Sequence, residues 1–234
     1  MSAGYYQLET GKVAALENDC PFPPLNQALT EPNGLIAIGG DLSAERLLNA
    51  YSQGIFPWFN AGEPVMWWSP NPRMVLFPDE LKISSSLKKT LKKQLFEIRF
   101  NSAFGQVITA CSQSVRGEKS VPPESNTWIS PEMIDAYINL HQKGYAICVE
   151  SWLNNQLVGG CYGVLINKMF YGESMFHTQT DASKVAFVHL VNHLKTLKIG
   201  MIDCQMKTPL LSSFGGREIE REDFKQNLTK LVHF

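Results

Sequence analysis

Residues 146–205 constrain the fold more than any other stretch. "AICVESWL", "LVGGCYGVLI" and "MFYGESMF" are three strand-like runs. The links between them, "NNQ" and "NK", have hairpin length. "DASKVAFVHLVNHLKTLKIG" then reads as a helix, with Phe187, Leu190, Val191 and Leu194 on one face. "MIDCQ" follows as a short strand, expected to lie parallel to the third.

This β-β-β-α-β order is the core of the acyltransferase fold typified by CoA-dependent N-acetyltransferases, although fold alone does not give function. Upstream, "SPEMIDAYINLHQKG" reads as a helix with Ser130 at its cap, Pro131 at its first position and Gly144 past its end. "KISSSLKKTLKKQ" is a helix capped by Ser84 or Ser85, "FEIRF" a strand, and "SAFGQVITACSQS" a helix capped by Ser102. In the first seventy-odd residues Pro and Gly cluster, and "DLSAERLLNAYSQG" is the one good helix, capped by Asp41 or Ser43. The expected architecture is α+β. A small N-terminal α/β domain spans 1–78, and a GNAT-like acyltransferase domain with a mixed sheet flanked by helices spans 79–234.

With 44% hydrophobic and 18% charged residues, the chain can bury a core and is not disordered. Its net charge of −1 leaves no global attraction to nucleic acid, so a polyanion site must be a local patch. Five cysteines without a CxxC read as reduced, and the N-terminus lacks a basic start and a long apolar run. These features predict a cytoplasmic protein.

Glu173 interrupts an apolar strand, and a buried carboxylate costs several kcal/mol, at roughly the level of an unpaired ion, unless it is paired or hydrogen-bonded. Asp203 and Gln205 are two apart and so share one strand face. There the acid could fix the direction of the amide; alternatively both sit on a solvated strand end. A CoA enzyme would need a Gly-rich phosphate cradle before the helix, but "HTQTDASK" has no glycine. Lys82, Lys88, Lys89, Lys92 and Lys93 form a run without acids, which is either a solvated face or a phosphate-backbone patch. Trp58 and Trp128 lie in loop-like contexts where an indole can stack on a base. His189 and His193 are four apart, but Leu190 stands where a zincin helix needs Glu, so no metal site is expected.

"EPNGLIAIGGDLSAERLLNAYSQGIFPWF", "MWWSPNPRMVL", "TWISPEMIDAYINLHQKGYAICVESW", "LVGGCYGV", "YGESMF", "ASKVAF" and "IDCQ" occur in this order. Together they resemble the leucyl/phenylalanyl-tRNA–protein transferases, from about residue 22 to the C-terminus. The resemblance implies a bacterial cytoplasmic enzyme that uses neither CoA nor metal. Such enzymes move Leu, Phe and to some extent Met from aminoacyl-tRNA to the α-amine of proteins beginning with Arg or Lys, which then enter N-end-rule degradation. It also implies that Glu173, Asp203 and Gln205 hold the catalytic positions. Trp58, Trp128 and Tyr137 would meet the terminal adenosine. Cys161, Phe170, Met175, Phe187, Leu190 and Leu194 would form the amino-acid pocket. The chain departs from the family's usual pattern at Leu210 (commonly His), Asn126 (usually Gly) and Asp181 (usually Asn). Cys161 and Leu194 are smaller than some counterparts.

The expected chemistry has Asp203 orienting Gln205, Gln205 holding the attacking amine, and Glu173 fixing the donor's α-ammonium or ribose. The lysine run is expected on the acceptor stem. Nothing in the sequence demands more than a monomer. Two rival readings remain: a CoA-dependent N-acetyltransferase, and a non-catalytic tRNA-binding module.

Overall fold

A computed structural model describes residues 4–17, 20–114 and 127–232. The chain begins with β1 (Gly4–Leu8), β2 (Gly11–Leu16), β3 (Leu35–Gly39), α1 (Ala44–Ser52), β4 (Phe56–Pro57), β5 (Met66–Trp68) and β6 (Arg73–Leu76). Next come α2 (Ser85–Lys93), β7 (Glu97–Phe100), α3 (Phe104–Ser112), α4 (Pro131–Gln142), β8 (Ala146–Leu153), β9 (Gln156–Ile166) and β10 (Met169–His177). It closes with α5 (Ala182–Thr196), β11 (Met201–Gln205), α6 (Pro209–Ser213), β12 (Arg217–Ile219) and α7 (Arg221–Val232).

The fold is α+β with two sheets. The first has the order β1-β2-β3-β5-β4, the second β12-β6-β11-β10-β9-β8-β7. In the second, β8, β9 and β10 pair antiparallel and β11 runs parallel to β10, which is the expected acyltransferase-like core. β6 precedes residue 78 yet pairs with β11 and β12, so the sheets divide between Trp68 and Arg73. All four β6 residues are buried, and β6 lies inside the large sheet between β12 and β11.

Local chemistry explains most helix starts. Ser43, Ser84 and Ser130 accept the N–H groups of Arg46, Leu87 and Met133 and cap α1, α2 and α4. Two starts carry no side-chain cap. At α3, Ser102 is not the cap: the Glu150 carboxylate on β8 accepts the Ser102 N–H at 2.8 Å and the Ala103 N–H at 2.9 Å. At α5, Asp181 occupies the cap position with φ 64 and makes no cap bond. Its carboxylate instead accepts from Thr90 at 3.0 Å and from Lys184 at 2.9 Å, tying α2 to α5. α5 rests closely on β9, since a Cβ at Gly159 would lie 2.6 Å from that of Ala182.

Two irregularities shape the centre of the large sheet. The β10–β11 ladder ends at Tyr171 and Asp203. Just beyond it, β10 shifts register against β9 between Gly172 and Ser174, and β11 shifts against β6 between Asp203 and Gln205. Bulges bend strands and re-aim side chains. A cavity opens at this point.

Candidate active site

The cavity measures about 370 Å³ and its lining is mainly apolar. Phe56, Cys161, Phe170, Met175, Phe187, Leu190, Ile202 and Cys204 contribute to its walls. Trp58 and Trp128 line it too, as do Met206, Thr208, Leu210 and Leu211 from the segment around α6. Trp58 is 38% exposed, and Trp68 anchors it by donating its indole N–H to the Trp58 carbonyl at 2.6 Å.

Glu173 is the residue skipped by the β10 bulge, so its half-buried carboxyl reaches the cavity rather than following the strand's alternation. Tyr51 of α1 donates to one carboxylate oxygen at 2.6 Å, and Tyr137 of α4 donates to the other at 3.1 Å. The two phenol oxygens also lie within hydrogen-bonding distance of each other, so the carboxyl and the two phenols form one compact network. Tyr171 donates to the Tyr51 carbonyl at 2.7 Å and steadies that end of α1. Burial pushes the Glu173 carboxyl up to about 7, against the pull of the two hydroxyls toward the ionised form. Burial, and then the Glu173 charge, lift both phenols well above their ordinary value.

Asp203 differs from the expectation. It is fully buried, does not line the cavity, and forks with Arg73 of β6: Nε donates to Oδ1 at 2.8 Å and Nη2 to Oδ2 at 2.7 Å. It accepts the backbone N–H of Gln205 at 3.0 Å, not the side-chain amide. The bulge and a φ of 56 at Gln205 break the alternation that would have put both on one face. Gln205 itself lines the cavity, and its Nε2 is buried without a hydrogen-bond partner among the described residues.

Other expected site residues divide similarly. Cys161, Phe170, Met175, Phe187 and Leu190 line the cavity, whereas Leu194, one turn further along α5, is sealed in the core behind it. Tyr137 is fully buried and off the cavity wall, so it has no free face for an adenine ring; its hydroxyl holds Glu173 instead. Lys88, Lys89, Lys92 and Lys93 are exposed on α2 and Lys82 is exposed ahead of it. None of the five forms an ion pair among the described residues. Asn126 lies outside the described residues.

Sequence reasoning missed Tyr51 and Arg73. Tyr51 sits on the apolar face of α1, where a buried phenol needs a partner. Arg73 heads an apolar strand, where a buried guanidinium needs a carboxylate. Among the described residues, no group of three or more His, Cys, Asp or Glu could hold a metal. No described helix is long and apolar enough to cross a membrane.

The sequence model of the leucyl/phenylalanyl-tRNA protein transferases matches residues 75–229, and that of their N-terminal domain matches residues 40–71. The chain belongs to the leucyl/phenylalanyl-tRNA protein transferase family. It is 59% identical to the transferase of Nitrosomonas eutropha over 220 residues, covering 94% of this chain and 92% of that one. It is 56% identical to that of Chromobacterium violaceum over 211 residues, covering 90% and 88%. A predicted acetyltransferase from Clostridium acetobutylicum, solved with acetyl-CoA, aligns with a TM-score of 0.36 and 13% identity over 56% of this chain and 88% of that one. Members of the family are aminoacyltransferases, so the cavity is the candidate acyl-transfer site of an enzyme.

Proposed function

We propose that this transferase moves Leu or Phe, and Met to a lesser extent, from aminoacyl-tRNA to the α-amine of proteins beginning with Arg or Lys. The products enter N-end-rule degradation in the cytoplasm. The observation that carries the reading is one mainly apolar cavity holding both the Glu173 carboxyl and the unpartnered Gln205 amide.

In this mechanism the apolar walls take the donor's side chain. Burying Leu, Phe or Met contributes about 1.5–3 kcal/mol each, so related residues are accepted together. Glu173 receives the donor's α-ammonium, and the cation draws the carboxyl to its ionised form. Trp58 and Trp128 stack on the terminal adenosine. The exposed lysines of α2 meet acceptor-stem phosphates.

The ester is already an activated acyl group. The attacking α-amine has a pKa of about 7.7–8.0, so a neutral fraction exists without a strong base. Holding donor and acceptor in register supplies up to roughly 7–11 kcal/mol. Gln205 accepts a hydrogen bond from the incoming amine through its carbonyl oxygen. Its NH2 donates to the oxygen that gains charge in the tetrahedral intermediate. The amine's proton passes through the substrate to the departing ribose oxygen. Asp203 takes no proton, because Arg73 and the Gln205 N–H occupy its carboxylate.

A CoA-dependent reaction fits less well, because the Asp181 carboxylate stands at the start of α5, where a pyrophosphate would have to bind. One assay decides. The protein is incubated with an Arg-initiated peptide and either Leu-tRNA, Phe-tRNA or acetyl-CoA, and the peptide is weighed by mass spectrometry. Addition of Leu or Phe at the N-terminus is expected. Acetylation, or an unmodified peptide in every arm, overturns the reading.

A further inference from the structure

Resting on that reading, we infer that Arg73 is a positioning residue for acyl transfer, because it holds the Asp203 carboxylate that fixes the backbone of Gln205. Arg73 is 1% exposed and Asp203 is fully buried. Their two-pronged contact uses both carboxylate oxygens, and only a guanidinium provides that planar fork.

Such a pair needs a reason to exist. An apolar pair of similar volume is often as stable as a buried ion pair, or more so. The reason here is geometric. Asp203 Oδ1, already gripped by Arg73 Nε, also accepts the N–H of Gln205. Gln205 has φ 56, a left-handed conformation that a non-glycine residue adopts at a cost. The chain is held there by the carboxylate, and the carboxylate is held by Arg73. This conformation brings the Gln205 amide to the cavity while Asp203 stays buried off the cavity wall.

The guanidinium is fixed on both sides as well. Its carbon lies 4.8 Å from the ring centre of Phe56, a cavity wall, and 4.7 Å from that of Phe224 on α7. The C-terminal helix therefore braces the clamp from outside the cavity. Arg73 does not itself line the cavity.

Arg73→Lys keeps the charge and loses the fork. Displacing a reacting group by about 1 Å can cost on the order of 100-fold in rate, so kcat for Leu transfer should fall about 10- to 100-fold. KM for Leu-tRNA should stay within about two-fold, since the donor contacts lie elsewhere. Hydrogen exchange of the Gln205 amide, followed by NMR, should quicken at least about ten-fold in the variant. This readout needs no activity, so it tests the clamp even if wild-type protein transfers nothing, which would instead refute the proposed reaction.

The double variant Arg73→Met with Asp203→Leu guards against simple misfolding. It should fold with near wild-type stability and still have the lowered kcat. Unchanged Gln205 exchange and full kcat in Arg73→Lys would overturn the inference. So would wild-type kcat in the apolar double variant.

Discussion

Replacing Glu173 by Gln should move stability and activity in opposite directions. Burial raises this carboxyl from 4.5 to about 7, with the Tyr51 and Tyr137 hydroxyls opposing it. Between those values the folded chain keeps a proton that the unfolded chain has released. Stability therefore declines as pH rises, by about 1.4 kcal/mol per unit, from about pH 4.5 until both states are ionised above about pH 7. The accumulated loss is roughly 3 kcal/mol. Glu173→Gln has no titrating group at this position, and other groups contribute equally to both proteins. Urea denaturation at a series of pH values thus isolates Glu173 as the difference between them. The variant should gain on wild type by roughly 3 kcal/mol between about pH 4.5 and pH 8. Its transfer rate at low donor concentration should fall by about ten- to a hundred-fold, through loss of a charge-assisted contact to the α-ammonium. A difference that is flat with pH, or that opens in favour of wild type as pH rises, would refute the electrostatics. Full transfer by the variant would refute the role.

Trp58→Ala or Trp128→Ala should each raise KM for aminoacyl-tRNA by roughly 5- to 100-fold with a smaller change in kcat, as expected for lost base stacking worth about 1–3 kcal/mol; steady-state kinetics with varied donor checks this. Lys88→Glu with Lys92→Glu should weaken donor binding at low salt and flatten its salt dependence, measured by fluorescence titration with labelled tRNA. Cys161→Leu narrows the cavity and should lower kcat/KM for Phe-tRNA relative to Leu-tRNA by about ten-fold, in competition assays. Ser102, Ala103, Trp152 and Cys148 all donate to buried Glu150. Burial alone would raise the Glu150 carboxyl, but these bonds hold it below its ordinary value, so its stabilising contribution is lost as pH falls through that depressed value. Glu150→Gln should cost roughly 2–4 kcal/mol at about pH 7, and the deficit should shrink in acid, as denaturant midpoints would reveal.

Much of the fold was legible because its signals are local. Ser43, Ser84 and Ser130 cap their helices as their sequence contexts imply, and hairpin-length links join the three long strands. The cap of α3 was not legible, since its acceptor is Glu150, 48 residues from Ser102. The site was legible in part. Glu173 and Gln205 reach the cavity, but Leu194 and Tyr137 do not, although Leu194 shares a helical face with Leu190. Periodicity identifies a buried face. It does not separate the residues that meet a cavity from those that meet the core behind it.

From the residues alone came α1, the order of strands and helices from α2 to β11, the apolar stripe of α5 and the odd carboxylate among apolar neighbours, because these depend on neighbours a few positions apart. Tertiary structure decided which side chains share the cavity. Two bulges override strand alternation at Glu173 and Gln205, and Arg73 meets Asp203 across 130 residues of chain. Such contacts follow from how the strands are laid side by side, and no local pattern encodes that placement.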